Sequence, residues 1–529
     1  MTAQFQIVLH AHLPFVRHPE NPFHLEEMWF FEAVSETYLP ILQFLTRLAN
    51  DGIASPLTIS ISQPLAAMMD DRLLRERFVA HLQRLVKLGQ IEIERTRGTE
   101  FADISQFYLV RFQQQLELFE QLRRDVLGAF IEHHRTGRIE LITCVGTHGF
   151  LPLMLTDESR RAQIRTAVTQ FTRRVGTPPR GMWMGECAYW WGVDQMLADV
   201  GVAYSFVEDR AILRASHHSN AGVALPVISS TGVLFFSRDP ESSHQVWSAS
   251  EGYPGDPAYR DFYRDLGFDL PVETILPWIH PDGIRIHTGF KYHRVTASQG
   301  DHKEPYLRDV AMLRVRAHAE HFVTARLQQL NELEHRVGPD TIITSPYDAE
   351  LFGHWWFEGP EFLEQVFRVL AERGESLRVT TPTAWSSQAE RSIPIAEPAP
   401  SSWGENADYS VWLNEETGWI YPMLRHAEET MVRLAGEADS FPALHQRVLR
   451  QAARELMLAQ ASDWAFIIHN RTAAQYAAQQ TRAHLDAFWA LVHGLQNLSD
   501  ADALTSLVCH WELRHPIFPA LELNDWAPR

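Results

Sequence analysis

Short apolar runs alternate with longer segments of helical spacing from the start of the chain to residue 392. Runs with the pattern of strands occur at Gln6–Leu9, Leu57–Ile61 and Ile139–Cys144. Between them, apolar positions at helical spacing predict helices over Glu27–Leu48 and Phe107–His133. Strands that alternate with helices are typical of a parallel sheet with crossover connections. The length of the alternating region favours a closed barrel over an open sheet.

The alternation is interrupted once and then stops. Residues 208–260 are rich in Ser, His, Gly and Pro, which is typical of a lid or binding loop in a compact domain. A Pro-rich segment at 393–402 predicts a linker. We therefore expect a catalytic domain over 1–392 and a C-terminal helical domain over 403–529. The helices predicted after the linker are Tyr421–Leu434, Ser440–Ala461 and Thr472–Leu498.

Composition and charge limit the possible functions. The chain has 529 residues and a formal net charge of -19, which argues against nucleic acid or an anionic membrane as a partner. A neutral polymer such as a glucan is compatible with that charge. The cysteines Cys144, Cys187 and Cys509 are too widely spaced for a disulfide framework or a zinc cluster. The sequence has neither a signal-peptide pattern nor the roughly 20 apolar residues of a membrane span, so we expect a cytoplasmic protein.

Two carboxylates occupy matching positions after predicted strands. Asp348 ends a β-branched run that begins at Thr341, and Glu186 ends an apolar segment that begins at Arg180. Parallel α/β barrels place catalytic groups at such strand ends, ahead of the βα-loops. Either residue alone is more simply interpreted as a helix N-cap or a solvated loop residue. Together they favour glycosidic-bond chemistry, in which one carboxylate is the nucleophile and the other protonates the leaving oxygen.

Three histidines are placed to join these carboxylates. His10 and His12 leave the first predicted strand at positions i and i+2, so their side chains face the same way. His148 follows the third predicted strand in a Gly-Thr-His-Gly loop. These side chains could bind a metal ion, donate hydrogen bonds to sugar hydroxyls or tune a nearby carboxylate. The simpler alternative is a strand end at which the imidazole nitrogens merely form structural hydrogen bonds.

Tryptophan is concentrated near the two carboxylates. Most of the 16 tryptophans, taken individually, are expected to pack in the core. The pairs at 190–191 and 355–356 adjoin Glu186 and Asp348, so we expect aromatic platforms for sugar rings there. Trp356 is accordingly a candidate substrate contact, as are the three histidines.

Five segments together resemble glycoside hydrolase family 57, and within it the branching-enzyme branch. The resemblance covers essentially the whole chain, and the last three segments are the most specific. In chain order the segments are His10-Ala-His-Leu-Pro14, Gly146-Thr-His-Gly-Phe-Leu-Pro152, Trp183-Met-Gly-Glu-Cys-Ala-Tyr189, Ser345-Pro-Tyr-Asp-Ala-Glu-Leu-Phe-Gly-His-Trp-Trp356 and Ser402-Trp-Gly-Glu405.

The resemblance implies an α/β fold, an incomplete (β/α)7 barrel with an inserted helical subdomain and a C-terminal all-α domain that closes the cleft. It also implies a retaining double displacement without metal or cofactor. Glu186 matches the family's nucleophile, and Asp348 matches its general acid/base. Their carboxyl groups should lie about 5–5.5 Å apart, whereas about 8 Å or more would indicate an inverting reaction. The proton donor should have a raised pKa.

The resemblance assigns further substrate contacts to Arg264, Gly283, Trp403 and Asp463. Arg260 remains an alternative to Arg264, because the local motif repeats the arginine.

The chain departs from the family pattern at two positions. Thr472 lies where a glutamine can lie on the substrate-facing C-terminal helix, and it is kept as a candidate contact. Leu13 lies where other branches of the family have Gln, which points to the branching-enzyme branch.

The activity that the resemblance implies is cleavage of an α-1,4 linkage and transfer of the glucan chain to a 6-hydroxyl, which forms an α-1,6 branch. An α-amylase or a 4-α-glucanotransferase uses the same carboxylate pair and remains an alternative. A metal-dependent mannosidase or deacetylase built on His10 and His12 is another, as is a catalytically silent glycogen-binding protein. The expected partner is an α-1,4-glucan such as amylose or a glycogen-like polymer. The expected assembly is a monomer or a weak homo-oligomer.

Overall fold

Parallel strands make up most of the β-structure. The computed structural model describes residues 2–217, 221–248, 251–296, 302–388, 391–498 and 500–528. The strands are β1 Gln4–Ala11, β2 Leu57–Ile61, β3 Ile139–Cys144, β4 Met182–Trp183, β5 Tyr204–Val207, β6 Val227–Ile228, β7 Leu234–Ser237 and β8 Ile342–Asp348.

These strands close into a barrel. One all-parallel sheet has the spatial order β4, β3, β2, β1, β8. In a second sheet β5 and β7 are parallel, and β6 is antiparallel to β7. Single parallel bridges from Gly181 to Tyr204 and from Arg238 to Thr344 join the two sheets. Among the described residues, seven parallel strands (β1 to β5, β7 and β8) therefore surround the barrel axis, joined at two seams by single bridges. The predicted incomplete (β/α)7 barrel is confirmed.

The barrel strands are buried along almost their whole length. Parallel strands covered on both faces are rich in apolar and β-branched residues, which is why the first three were recognisable in the sequence. The predictions at Leu57–Ile61 and Ile139–Cys144 coincide with β2 and β3, and the prediction at Gln6–Leu9 lies within β1.

Helices connect the strands and continue beyond the barrel. The predicted helix over Glu27–Leu48 is confirmed as α1 and α2, which the π-helical segment Val34–Tyr38 joins. None of the helices in the described parts of the chain is both long enough and apolar enough to cross a membrane. The helices are α1 Glu27–Ala33, α2 Leu39–Asn50, α3 Gln63–Asp70, α4 Arg72–Thr96, α5 Ala102–Gln121, α6 Val126–Arg135, α7 Asp157–Val175, α8 Val193–Ala198, α9 Asp209–Leu213, α10 Pro240–Trp247, α11 Leu266–Asp269, α12 Val272–Ile275, α13 Arg308–Arg336, α14 Gly359–Glu372, α15 Pro382–Ser386, α16 Ile420–Gly436, α17 Ala443–Ala459, α18 Ser462–Asn470, α19 Ala474–Asn497 and α20 Ala501–Arg514.

The single helix predicted over Phe107–His133 is wrong, because α5 and α6 divide that stretch. Between them, Arg123 and Arg124 have positive φ angles of 55° and 62°. The Asp125 carboxylate accepts a hydrogen bond from the Gly128 N–H at 2.9 Å and caps α6. The N-cap satisfies a backbone donor that a new helix would otherwise leave unpaired. Apolar spacing alone does not reveal such a restart.

Residues 208–260 are not one loop. They contain α9, β6, the barrel strand β7 and α10. Composition concealed β7, because its four residues lie between segments rich in Ser, Gly and Pro. Residues 218–220 and 249–250 of this predicted lid lie outside the described residues.

The chain after residue 420 forms a helical bundle in which α17 packs against α19. The three predicted helices are confirmed as α16, α17 and α19, with ends shifted by a few residues. The bundle contacts the barrel at the loop after β3. There Gly149 forms a bridge with Ala461, and the Thr147 hydroxyl donates a hydrogen bond to the Met457 carbonyl. The domain division at 393–402 stays a prediction.

A buried acid–base triad ties this bundle together. Glu455 on α17 accepts hydrogen bonds at 2.9 Å from His484 Nδ1 on α19 and from His515 Nδ1 beyond α20. Gln451 donates a further hydrogen bond to Glu455 at 2.8 Å. Burial alone would raise the pKa of Glu455, but the two imidazoles lower it to about 2. Burial also lowers the pKa of His484.

Glu455→Gln is expected to lower the free energy of unfolding by about 3–5 kcal/mol, because it breaks a buried charged group's contacts with its partners. The stabilisation by the carboxylate is complete above its ordinary pKa of 4.5 and is lost as the pH falls toward about 2. The lowered pKa of His484 also makes the folded state less stable in acid, since the unfolded state takes up that proton first.

Urea denaturation near neutral pH and at about pH 3 measures both effects. Glu429→Gln, which changes an exposed glutamate on α16, is the matched control. Equal stability of Glu455→Gln and the wild type near neutral pH would show that the triad does not hold the bundle.

Candidate active site

Four sequence-predicted residues meet at one edge of the barrel. His10 near the end of β1 is in register with Asp348 at the end of β8. His148 follows β3, and Glu186 lies in a short turn after β4. Parallel strands bring their carboxyl ends to the same edge, so these side chains share one cleft.

Glu186 is buried and held at both carboxylate oxygens. Trp403 Nε1–H donates to Oε2 at 2.7 Å, and the Ser462 hydroxyl donates to Oε1 at 2.8 Å. The Glu186 backbone has a φ of 62°, which is sparsely populated for a residue with a Cβ and clusters at functional sites. The preceding Gly185 permits the turn, because a Cβ there would lie 2.8 Å from two carbonyl oxygens of the loop after β3. The turn therefore fixes the direction of the carboxylate.

Both candidate catalytic carboxyls have raised pKa values. Burial raises the pKa of Glu186 to about 7, and the negative charges of Asp463 and Asp348 act in the same direction. The cleft walls partly desolvate the Asp348 carboxyl and so raise its pKa to about 6, against opposing effects of His12 and Arg238. The Asp348 side chain is nevertheless exposed on the open side of the cleft, where a ligand can reach it. The pair can therefore retain a proton near neutral pH.

The three histidines stack in a column. The ring centroids of His12 and His148 are 3.9 Å apart, and those of His148 and His10 are 5.0 Å apart. His10 stacks in turn on Trp183 at 4.6 Å. Burial lowers the pKa of both His10 and His148 well below the usual value, so both rings are neutral near neutral pH.

His12 has a different electrostatic environment. Its Nε2 lies 2.9 Å from Asp463 Oδ1, and its Nδ1 lies 2.8 Å from Ser62 Oγ. Burial alone would lower the pKa of His12, but Asp463 raises it, with smaller contributions from Glu186 and Glu350. His12 therefore keeps its positive charge to a higher pH than an ordinary histidine.

Two serines of the site were missed in the sequence. Ser60 is in register with His10, and its hydroxyl lies 3.2 Å from His10 Nδ1. Ser62 contacts His12 in the same way. Ser60 lies near the end of β2 and Ser62 directly follows that strand, so the two repeat the spacing of His10 and His12 at the end of β1. That shared alternation is the signal that could have found them.

Ser462 and Glu350 were also missed. Ser462 contacts Glu186 across 276 residues of chain, and no local pattern reports such a contact. Glu350 follows Asp348 in the specific motif, accepts hydrogen bonds from the Tyr38 hydroxyl and the His12 N–H, and has its pKa raised to about 7 by burial. Its position two residues after the predicted acid was the available signal.

Of the two candidate arginines, only Arg264 is open to a ligand. Its side chain is 35% exposed and pairs with Asp269 at 2.8 Å. The side chain of Arg260 is 1% exposed and lies over the Phe357 ring at 3.9 Å. Gly283 lies in a turn with a φ of 79°, which favours glycine. The predicted residues that the structure brings together around one cleft are His10, His12, His148, Glu186, Asp348, Trp403 and Asp463.

Two candidate contacts lie elsewhere than expected. Trp356 is 2% exposed and packs against Phe362 at 4.9 Å, so its ring belongs to the core and offers no face to a sugar. The adjacent Trp355 is 56% exposed and stacks on Phe262 at 4.6 Å. Thr472 is exposed in the turn between α18 and α19 and does not lie on a helix.

The histidine column also offers donor atoms to a metal ion. His12, His148 and Asp463 place one donor atom each within 4.8 Å of one another, as do His10, Cys144 and His148. Imidazoles and carboxylates are ligands that zinc prefers. The His12–Asp463 contact at 2.9 Å would have to be exchanged for metal bonds.

Trp403→Phe is expected to lower kcat about 10–100-fold, because it removes the donor at Oε2 of Glu186 but keeps an aromatic ring. Loss of a hydrogen bond to the anion also raises the pKa of Glu186, so the acid limb of activity moves to higher pH. The measurement is kcat as a function of pH, with Trp489→Phe in the C-terminal bundle as the control. A pH profile identical to that of the wild type would contradict this role of Trp403.

Two family models match the chain. The model described as glycosyl hydrolase family 57 matches residues 6–346. The model described as 1,4-alpha-glucan branching enzyme, C-terminal, matches residues 423–526. A curated relative, a 1,4-alpha-glucan branching enzyme of Thermococcus kodakarensis, is 34% identical over 94% of this chain and 74% of its own length.

Solved structures share the whole fold. The crystal structure of the alpha-amylase AmyC from Thermotoga maritima has a TM-score of 0.92 and 39% identity, with 100% of both chains covered. That of a branching enzyme of this family from Pyrococcus horikoshii has a TM-score of 0.89 and 30% identity, covering 100% of this chain and 97% of that one. From these matches and the paired carboxyls at the strand ends, the chain belongs to glycosyl hydrolase family 57.

Proposed function

We propose that the protein is a 1,4-α-glucan branching enzyme, which cleaves an α-1,4 linkage and transfers the released chain to a 6-hydroxyl. The observation that carries the proposal is the electrostatically coupled pair, Glu186 and Asp348, at the ends of β4 and β8. The match of residues 423–526 to the branching-enzyme C-terminal model supports transfer over hydrolysis.

In the first step Glu186 attacks the anomeric carbon of a bound glucose unit. The bond from that carbon to the glycosidic oxygen breaks, its electron pair stays on the oxygen, and Asp348 gives that oxygen its proton. A covalent glycosyl ester remains on Glu186, and the shortened glucan leaves. Trp403 and Ser462 hold the attacking carboxylate in position.

In the second step Asp348, now a carboxylate, takes the proton of the 6-hydroxyl of an acceptor glucose. The acceptor oxygen attacks the anomeric carbon, and the electron pair of the ester bond returns to Glu186. Two inversions at this carbon preserve the α-configuration. The product carries an α-1,6 branch, and both carboxyls return to their starting states.

The roles depend on which carboxyl holds the proton. Glu186 accepts an N–H from Trp403 and an O–H from Ser462, and both donors favour its anion. Asp348 faces the cleft, where a bound glucan displaces water and raises its pKa further above about 6. The negative charge of Asp348 helps to raise the pKa of Glu186, so the two carboxyls compete for one proton, and substrate binding settles it on Asp348.

Transfer requires that an acceptor sugar outcompete water. We assign this exclusion to α10 and to the C-terminal helical domain at 403–529. α10 follows β7 and so begins at the barrel edge that carries the catalytic pair, and its last residue, Trp247, is 63% exposed. The helical domain contributes Ser462 and Asp463 to the cleft, which supports the division into 1–392, the linker 393–402 and this domain.

An α-amylase is the second candidate, because the Thermotoga maritima structure with that title is 39% identical to this chain. Incubation with amylose, followed by proton NMR of the product, separates the two activities. New α-1,6 anomeric signals that are absent with Glu186→Gln support branching. Shortened linear chains without branches support an amylase or a 4-α-glucanotransferase.

A metal-dependent mannosidase or deacetylase is tested through the donor set of His12, His148 and Asp463. We propose that no metal or cofactor is required, so activity should survive exhaustive chelation. Activity that is lost on chelation and restored by zinc would overturn this mechanism. The proposed partner is an α-1,4-glucan, which serves as both donor and acceptor, and neither nucleic acid nor a membrane is an expected partner. We propose that the protein is a cytoplasmic monomer or weak homo-oligomer.

A further inference from the structure

A continuous chain of hydrogen bonds connects the end of β2 with the proposed nucleophile. Ser60 Oγ lies 3.2 Å from His10 Nδ1, and His10 Nε2 lies 2.9 Å from His148 Nε2. His148 Nδ1 lies 2.8 Å from Ser462 Oγ. The Ser462 hydroxyl lies 2.8 Å from Glu186 Oε1. All five residues of this chain are buried.

The chemistry of the last group sets the direction of every proton in the chain. An ionised carboxylate only accepts hydrogen bonds, so Ser462 must donate to Glu186. The single proton of Ser462 is then used, and His148 Nδ1 must carry the proton that it donates to Ser462 Oγ. A neutral His148 therefore has an unprotonated Nε2.

The proton positions on the second ring, His10, are fixed in the same way. Because His148 Nε2 is an acceptor, His10 Nε2 must carry a proton and donate it. His10 Nδ1 is then an acceptor, and Ser60 supplies its hydroxyl proton. Two adjacent neutral histidines consequently hold opposite tautomers, with the proton on Nδ1 in His148 and on Nε2 in His10.

The surroundings of His10 and His148 in the histidine column keep both rings neutral. Burial is the main cause of the low pKa values of His10 and His148, and the neighbouring His12 opposes a second positive charge. Asp463 draws the proton of His12 away from the chain, at 2.9 Å from Nε2. The titratable groups that interact electrostatically with Glu186 are His12, His148, Asp348, Asp463, Cys144 and Cys187.

We propose that Ser462 is a positioning residue for Glu186, and that the two fixed tautomers lock its hydroxyl onto the carboxylate. The role assigned to Glu186 rests on the proposed function. Ser462 lies in the first turn of α18, and its backbone N–H donates to the His148 carbonyl at 3.2 Å. The catalytic carboxylate is thus completed by the C-terminal helical region, where the following residue, Asp463, serves His12.

A locked donor acts most strongly when the carboxylate departs. In the second step the ester on Glu186 breaks and its negative charge returns, so a hydrogen bond from Ser462 makes it a better leaving group. In the first step the same bond stabilises the attacking anion and gives no comparable gain. Loss of the hydroxyl should therefore slow breakdown of the glycosyl-enzyme more than its formation.

Ser462→Ala is expected to lower kcat about 10–100-fold, since hydrogen bonds to charged groups are among the stronger ones. KM should fall with kcat, because the glycosyl-enzyme accumulates, and intact-protein mass spectrometry should detect it at steady state. The acid limb of the pH profile should move to higher pH, because the anion of Glu186 has lost a donor. If the serine were merely structural, its loss would change neither KM, nor the amount of glycosyl-enzyme at steady state, nor the acid limb.

Ser462→Thr keeps the hydroxyl and should restore most of kcat and the original acid limb. Ser506→Ala, which removes a serine hydroxyl bonded to the Asp502 carbonyl on α20, is the matched control. A Ser462→Ala variant with unchanged pH profile and no accumulated adduct would overturn the proposal.

Neutron diffraction of deuterated wild-type crystals tests the tautomers directly and independently of any variant's folding. We expect deuterium on Nδ1 of His148 and on Nε2 of His10. Deuterium on Nε2 of His148, or on both nitrogens of either ring, would overturn the chain of donors. This result does not depend on whether the product is branched, so it separates failure of the inference from failure of the proposed function.

Discussion

Glu186→Gln is expected to reduce kcat by about ten-thousand- to a million-fold, the range found when a covalent catalyst loses part of its nucleophilic machinery. Glutamine keeps the size of the side chain, and its amide oxygen can accept from Trp403 while its NH2 group donates to the Ser462 oxygen. It cannot form the glycosyl ester, so neither branching nor hydrolysis should proceed. The measurement is the initial rate on amylose, followed by product NMR.

Three companion experiments separate loss of the nucleophile from loss of structure. Glu429→Gln should retain wild-type activity, and the melting temperature of Glu186→Gln should not fall, since the substitution removes a buried charge. Azide added to Glu186→Ala should enter the vacated space and restore cleavage with inversion, giving a β-glycosyl azide. Substantial activity in Glu186→Gln without added anion would contradict its assignment.

Asp348→Asn is expected to reduce kcat by about 10²–10⁴-fold on natural glucans, the usual contribution of a positioned acid and base. Since the wild-type reaction needs a protonated Asp348, activity should decline as the pH rises through the coupled titration of the pair. The variant should lose that alkaline decline, because asparagine does not titrate. Initial rates across the pH range measure both effects.

An activated donor distinguishes this role from a general loss of the site. An α-maltosyl fluoride needs no proton on its leaving group, so Asp348→Asn should form the glycosyl-enzyme from it at nearly the wild-type rate. Breakdown should remain slow, because the base is missing. A variant that is equally impaired on the fluoride and on amylose would refute an acid role for Asp348.

The fold was predictable where strands are long and buried on both faces. β1, β2 and β3 are buried strands of five to eight residues that are rich in apolar and β-branched side chains, and that pattern identified them. β4 has only two residues, and it was expected only because Glu186 follows an apolar segment, whereas the four residues of β7 do not stand out from their surroundings. Barrel closure at these strands depends on single bridges between distant residues, which no local pattern encodes.

The site was predictable where a candidate catalytic side chain lies at the end of a strand. Glu186 and Asp348 were found because two carboxylates follow strands in matching contexts and both have aromatic neighbours. Trp355 and Trp356 could not be told apart, since burial of one and exposure of the other depends on tertiary packing. Ser462 was invisible for the same reason, as its partners Glu186 and His148 lie 276 and 314 residues away.

The most direct test of the account is to identify the residue that carries the glycosyl group. Asp348→Asn is mixed with α-maltosyl fluoride, digested and analysed by mass spectrometry, and a second sample receives unlabelled glucan before digestion. We predict a maltosyl adduct on Glu186 in both samples, which the added glucan removes only slowly, as an α-1,6-linked product, because the variant lacks the base. An adduct on another residue, or none in any sample, would contradict a retaining double displacement at Glu186.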